Sequence, residues 1–507
     1  MKTALDIPER NAGILLHVTS LPGKYGIGSF GAEAYDFIDM LNRAGMKYWQ
    51  VLPLNASDML TGYSPYSALS AFAGNVILTD PDYLVDNLLL DRSEILNKEF
   101  KHSEKADYRG AEEFKHILLD KAFKNFINDD RHPFHNEYER FKEKESYWLD
   151  DYAVFITLKR QHKGKKWYKW PSEYRDREEE ALATFRDKFA FDLEKVKFKQ
   201  FVFTKQWNAL KLYANEKGIR LFGDIPIYVS YESSDVWAHP EFFRLKKNKS
   251  MEVVAGVPPD YFSKTGQLWN MPIYKWDYLK EQNYDWWIRR IRKNLEWYDL
   301  LRLDHFRGFS AYWEVPAGDK TAVNGKWVQG PADSLFDALK IEFPEMPFVA
   351  EDLGKIDKPV YDLRDKYCLP GMKVLQFAFG DNMPQQPHIP HNHSYNSIVY
   401  TGTHDNNTVL GWYKSEADKT AKSNLNDYTG QKVNAKNCNS VMLRLAFASS
   451  AKTAIAPMQD ILGLGRKNRM NTPSTKKGNW LWKLKPGDLT ERSFDDIRRY
   501  AEIYGRG

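Results

Sequence analysis

The sequence predicts an α/β fold: a (β/α)8 TIM barrel with large, mainly helical insertions between its strands. Two observations predict it. Eight short apolar runs recur along the 507 residues, each followed by polar, Gly or Pro residues. Helix-compatible stretches lie between them, and strand–helix alternation is the pattern of parallel βαβ units. No internal repeat offers a solenoid or propeller instead.

The runs, in order, are Gly13-Ile-Leu-Leu-His17, Tyr48-Trp-Gln-Val-Leu52, Ile219-Arg-Leu-Phe-Gly223, Leu300-Leu-Arg-Leu303, Phe348-Val-Ala350, Met372-Lys-Val-Leu-Gln-Phe377, Ile398-Val-Tyr-Thr401 and Thr453-Ala-Ile-Ala456. They are rich in branched residues and apolar on both faces, as strands covered by helices on both sides must be. Amphipathic helical patterns lie at 33–44 and 286–297. The spacing is uneven. Residues 87–217 are charged, mostly helix-compatible and free of long Gly/Pro linkers, which predicts a helical insertion after the second strand. A second insertion is expected at about 230–280, after the third strand. Residues 414–436 are polar and predict a solvent-facing loop plus helix. All of this is expected to sit on one catalytic barrel spanning 1–507. The Lys163-Gly-Lys-Lys166 cluster is a solvated surface turn on this reading.

Composition excludes several classes. Lys and Arg number 73 against 68 Asp and Glu, a net charge of +5, too dilute to mark a partner in nucleic acid or an anionic membrane. No run approaches a membrane span. The opening MKTALDIPERNAG has no apolar core for a secretory signal. Two cysteines, Cys368 and Cys438, cannot staple a scaffold and fit a reducing, cytoplasmic compartment. The unusual figure is 15% aromatic residues, a surplus that suits stacking against sugar faces in a wet groove as well as core filling.

In such a barrel the active groups sit just past the C-terminal ends of strands. Here Asp224 follows the third run, Asp304-His305 the fourth, Glu351-Asp352 the fifth and His404-Asp405 the seventh. An apolar strand ending in a carboxylate is not explained by packing, because an unpaired buried charge is costly. Helix capping, or pairing with Arg302 or Arg307, is the plain alternative for any one of them, but not for three beside two histidines. Two carboxylates flanking a glycosidic bond divide the labour: one stays ionised as nucleophile, the other carries a proton as general acid and then acts as base. Arg302 lies two residues before Asp304, on the same strand face, where a cation keeps the acid ionised. Glu351 follows an apolar approach that raises a carboxyl pKa by desolvation. His305 and His404 are placed to donate hydrogen bonds to sugar hydroxyls.

Other chemistries fit less well. Gly26-Ile-Gly28-Ser-Phe-Gly31 matches the dinucleotide G-x-G-x-x-G and suggests a nicotinamide oxidoreductase. Its loop is too long for a tight turn, however, and the second strand ends without an acidic residue for a ribose. His388, His391 and His393 cluster between prolines without a matching Cys or Glu set for a metal.

Longer strings carry a family resemblance. They include His17-Val-Thr-Ser-Leu-Pro-Gly-Lys-Tyr-Gly-Ile-Gly28, Ser64-Pro-Tyr66, Gly256-Val-Pro-Pro-Asp-Tyr-Phe-Ser263, Arg302-Leu-Asp-His-Phe-Arg-Gly308, Ala350-Glu-Asp-Leu-Gly354, Pro370-Gly-Met-Lys-Val-Leu-Gln-Phe377 and Tyr400-Thr-Gly-Thr-His-Asp405. In this order they resemble the amylomaltases, the 4-α-glucanotransferases or disproportionating enzymes, over almost the whole chain. The resemblance implies Asp304 as nucleophile, Glu351 as general acid/base and Asp405 as transition-state stabiliser. It implies Tyr66 stacked on the donor sugar with Arg302, His305 and His404 around it. Asp260 and Trp269 belong to a loop roofing the groove, and Asn471 to a loop closing from the other side. The implied partners are maltooligosaccharides and linear α-1,4-glucans. No cofactor or metal is required. Departures from the family's strings at Ser67, Asn270 and Ser474 touch none of the acids. An α-glucan hydrolase with the same acids is the nearest alternative, and a non-catalytic glycan-binding barrel a remoter one.

Overall fold

The computed structural model describes residues 9–96, 100, 103–259, 263–475 and 477–507. Each of the eight apolar runs contributes one barrel strand: β1 Asn11–Leu15, β2 Tyr48–Gln50, β3 Arg220–Pro226, β4 Leu300–Asp304, β5 Phe348–Ala350, β6 Gly371–Val374, β7 Ser397–Tyr400 and β8 Thr453–Pro457. All neighbours are parallel and follow chain order, and β8 returns to β1 with Asn11 opposite Thr453 and Leu15 opposite Pro457, so the sheet closes. Ile14, Leu221, Leu301, Leu303, Val349, Val374, Val399 and Ile455 are buried, as covered parallel strands require. Two boundaries differ from the sequence pattern. β6 stops at Val374, where Leu375–Phe377 turns into a short helical segment. β3 runs on to Pro226 and carries Asp224 inside the strand; a carboxylate is tolerated there because the register sets Asp224 opposite Arg302 of β4.

Helices cover the barrel. Ala32–Arg43 buries Ala34, Phe37, Ile38 and Leu41, one stripe at helical spacing, with Phe37 edge-on to Trp49 of β2. Between β2 and β3 lie the helices Tyr108–Asn128, His135–Gln161, Glu179–Lys188 and Ala190–Glu216. His135–Gln161 is tied to the helix preceding β4, Asp285–Trp297, by a buried ion pair, Lys293 Nζ to Glu145 Oε1 at 2.7 Å. Trp148 Nε1 donates to the other Glu145 oxygen, so the buried charge is fully partnered, without which such a pair is a liability.

A second, antiparallel sheet is a feature the apolar-run pattern did not predict. Its order is Gln267–Pro272, Val253–Val257, Ala311–Pro316, Lys326–Gln329. Two strands come from the segment after β3 and two from the segment after β4. Gln267–Pro272 is mostly half-buried and Lys326–Gln329 mostly exposed, so they lack the continuous apolar signal of the barrel strands.

The glycines of the G-x-G-x-x-G string serve close packing. A Cβ on Gly28 would lie 2.0 Å from the Val18 carbonyl oxygen, and one on Gly31 would lie 1.9 Å from the Asp80 carboxylate. The three clustered histidines are likewise bonded within the protein. His388 Nδ1 accepts from the Val374 N–H, His393 contacts Ser449 Oγ and the His388 carbonyl, and His391 contacts Tyr428 Oη and the Pro384 carbonyl.

The N-terminal end of the barrel is sealed by Arg506. Its buried guanidinium donates to the carbonyls of Asn11, Phe447, Ser449, Ala451 and Lys452 at 2.7–3.1 Å. Asn11 opens β1 and Lys452 precedes β8, so one side chain bridges the seam. Burial, with Arg10 nearby, lowers the Arg506 pKa to about 9. Among the described residues no helix is long and apolar enough to cross a membrane.

Candidate active site

The opposite, C-terminal mouth gathers the strand-end acids. Arg302 on β4 anchors them. Its Nη1 lies 2.9 Å from both Asp224 carboxylate oxygens and 2.7 Å from Asp304 Oδ1. Burial opposes the Arg302 charge, but Asp224 and Asp304 hold its pKa well above the ordinary value. Burial pushes Asp224 up while Arg302 pulls it down. Asp224 also accepts from Tyr66 Oη at 2.7 Å, which fixes the tyrosine at its polar end.

The Tyr66 ring stacks on His404, with centroids 5.1 Å apart and planes 18° apart. His404 Nε2 is 3.4 Å from Asp405 Oδ2, and Asn471 Nδ2 donates to Asp405 Oδ1 at 2.6 Å. Arg469 donates to the Asp405 carbonyl. Burial would raise the Asp405 pKa, but the His404 charge and the hydrogen bonds from His404 and Asn471 prevail and hold it well below the usual carboxylate range. Contacts therefore run unbroken from Asp304 through Arg302, Asp224, Tyr66, His404 and Asp405 to Asn471, joining β3, β4 and the segments after β2, β7 and β8.

Glu351 lies beside this line in a different environment. Its Oε2 accepts the His305 N–H at 2.8 Å and its Oε1 the Leu353 N–H at 3.1 Å. His305 adopts a left-handed φ of 52°, uncommon outside glycine, and from this conformation its N–H reaches Glu351. Burial dominates at Glu351. Arg302 and the His305 N–H oppose it, Asp304 and Asp352 reinforce it, and the pKa rises from 4.5 to about 8. Asp352, the next residue, is bound to the Met372 N–H and Arg364 instead, so adjacent carboxyls have separate work. Burial lowers His305 to about 4, leaving its imidazole neutral at pH 7. Trp269 packs edge-on against that ring, centroids 4.7 Å apart.

Of the residues singled out in the sequence, Tyr66, Trp269, Arg302, Asp304, His305, Glu351, His404, Asp405 and Asn471 thus form one connected cluster; Asp260 lies outside the described residues. The linking role of Asp224 went unrecognised. Part of its signal was available, a carboxylate directly after the third apolar run; its pairing with the arginine of β4 depends on strand register. Trp480, whose ring lies 5.7 Å from Tyr66 and 6.1 Å from His404, had no comparable signal, because it follows no strand directly.

The mouth offers one carboxyl pushed up by burial and another held low by its partners, an arginine clasping Asp224 and Asp304 and aromatic faces beside them, a set suited to acid/base and nucleophilic work on a sugar. Comparison with known proteins agrees. A family profile described as 4-alpha-glucanotransferase matches residues 16–490. The 4-alpha-glucanotransferase of Aquifex aeolicus is 46% identical, covering 98% of this chain and 99% of its own; that of Thermus thermophilus is 44% identical over 99% of this chain and all of its own. The amylomaltase from Streptococcus agalactiae, solved in complex with acarbose, superposes with a TM-score of 0.94 at 40% identity, covering 98% of this chain and 100% of that one. At 16% identity the amylomaltase from Corynebacterium glutamicum shares the fold, with a TM-score of 0.79 over 99% of this chain and 75% of that one. With catalytic-type acids at the mouth of a closed barrel and full-length similarity of this order, the chain belongs to the 4-alpha-glucanotransferase family and is a transferase of glycoside-hydrolase type.

Proposed function

We propose that Asp304, Glu351 and Asp405 carry out a retaining double displacement on α-1,4-glucans. The family moves α-1,4-glucan segments between maltodextrins; the residue roles are the proposal. An Asp304 oxygen attacks the anomeric carbon while the bond to the leaving O4 breaks and Glu351 gives that oxygen its proton. The product is a glycosyl ester on Asp304. The 4-hydroxyl of a second glucan, or of glucose, then attacks the same carbon. Glu351 recovers a proton from it and Asp304 departs as carboxylate. Asp405, held ionised, supports the oxocarbenium-like charge and acts where that charge is greatest.

One arrangement supports the reading: Asp304 on Arg302, Glu351 on the His305 and Leu353 N–H groups and Asp405 on His404 and Asn471 share one mouth, where burial pushes Glu351 up to about 8 and its partners hold Asp405 low. Arg302, 2.7 Å from Asp304, orients the carboxyl that attacks. A retaining pair calls for the carboxyls of Asp304 and Glu351 to lie roughly 5–5.5 Å apart with substrate bound, and a separation beyond about 8 Å contradicts the covalent route. Transfer needs sugar admitted and water kept out. Trp269 beside His305 and Asn471 beside Asp405 are placed to do both. Two free cysteines are compatible with a cytoplasmic setting for this chemistry. Incubation with maltotriose tests the whole: transfer yields glucose and a ladder of longer maltodextrins without net gain of reducing ends, whereas hydrolysis raises reducing ends and gives no ladder.

A further inference from the structure

The geometry points to Trp480 as a positioning residue of the donor site, the third ring that fixes Tyr66 and His404 against one another; this rests on the reading of the site proposed above. Trp480 has a left-handed φ of 64°, a conformation that bulky residues avoid and that persists only where the surroundings over-determine it. The surroundings do so at both sides of the residue. Its N–H donates to the Met470 carbonyl at 2.7 Å, and its carbonyl accepts from Tyr108 Oη at 2.9 Å. Met470 lies between Arg469 and Asn471, the two residues that hold Asp405. Tyr108 in turn stacks on Tyr63, centroids 4.7 Å apart, three residues before Tyr66. The backbone of Trp480 therefore joins the segment that holds Asp405 to the one that carries Tyr66.

The side chain points to the same place. It is buried, and its ring is inclined at 38° to Tyr66 and 37° to His404, within 6.1 Å of both. Tyr66 is pinned at its hydroxyl by Asp224, and His404 reaches Asp405 from one edge. Neither bond fixes the plane of its ring. The indole supplies that constraint, and a glycine, which would accept the backbone without strain, would not. A side chain retained at a position that favours glycine marks a use for the ring.

The test compares Trp480→Gly, Trp480→Ala and Trp480→Phe in maltotriose disproportionation, with melting curves for each. Gly and Ala delete the same ring but differ in left-handed tolerance, so Gly should melt higher than Ala while both lose activity alike. The expected loss is on the order of tenfold or more in kcat at temperatures where both are folded, with a smaller change in KM, a greater share of hydrolysis in the products, and substantial recovery in Phe. Wild-type kcat and product ratio in folded Trp480→Gly would overturn the proposal, as would activity that tracks melting temperature across the series. Tyr66→Ala and His404→Ala serve as controls. If those two are fully active, the donor-site reading itself fails; if they are impaired while Trp480→Gly is not, only the inference about Trp480 fails.

Discussion

Arg302 and Arg506 are buried at opposite ends of the same barrel, and their surroundings could hardly differ more. At the C-terminal mouth Arg302 touches the carboxylates Asp224 and Asp304, which hold its pKa well up. At the N-terminal end Arg506 touches five neutral carbonyls and, among the described residues, no carboxylate, and burial draws its pKa down to about 9. Arg506 spreads its fork of donors over those carbonyls, whereas Arg302 meets its two carboxylates through Nη1. At one end this produces a charged field that can act on a substrate; at the other it produces a seal. Barrel enzymes divide their two faces between chemistry and stability, and here one residue type serves both, its role set by whether its partners are charged.

The contrast can be broken in several ways, the most severe first. Asp304→Asn removes the proposed nucleophile from the Arg302 end and should lower turnover on the order of 10³-fold or more, with the fold unchanged by circular dichroism; near-normal maltotriose turnover would put the nucleophile elsewhere. Arg302→Lys keeps the charge but not the planar guanidinium whose Nη1 meets both Asp224 and Asp304, and should cost about 10²-fold in kcat. The same change at the other end, Arg506→Lys, should leave kcat and KM as they are. There the readout is stability, lower by about 1–3 kcal/mol as carbonyls lose their donors and measured by denaturant unfolding. A drop in kcat at Arg506→Lys equal to that at Arg302→Lys would erase the distinction.

Two milder effects concern protons. Glu351 must enter the first step protonated, so kcat/KM should be level on the neutral side and fall about tenfold per unit above pH 8. The same group affects stability with a defined sign. In the unfolded chain its pKa is near 4.5 and in the folded protein about 8. Between these values the folded state keeps a proton that the unfolded state releases, so this site's support for folding declines as pH climbs through that window. Glutamine has no such proton to lose. The melting temperature of Glu351→Gln should therefore gain on wild type between pH 5 and pH 8, and a gap independent of pH would show that Glu351 is not the titrating group.

Much of this architecture was legible in the sequence, for a physical reason. Barrel strands are covered on both faces, so runs such as Leu300-Leu-Arg-Leu303 stand out, and an acid at such a strand's end has few explanations besides function. Asp304, Glu351 and Asp405 announce themselves in that way, and the pairing of Arg302 with Asp304 follows from two-residue spacing. What stayed hidden was what depends on the third dimension. Asp224 meets Arg302 only through the register of β3 on β4. Trp480 meets Tyr66 only after chain from opposite ends of the sequence is brought together. The side sheet has no such signal because its outer strands, half-buried on Gln267–Pro272 and mostly exposed on Lys326–Gln329, have no buried pattern to display.

The pairing of Asn11 with Thr453 and of Leu15 with Pro457 also carries a consequence for biosynthesis. Until β8 leaves the ribosome, one edge of β1 has no strand to join. At roughly 5–20 residues per second, the wait is on the order of 20–90 s for the more than 400 residues between them. During that interval the nascent chain carries an open, apolar edge of the kind that recruits other chains, so vulnerability to aggregation should be concentrated in the time before the ring is complete.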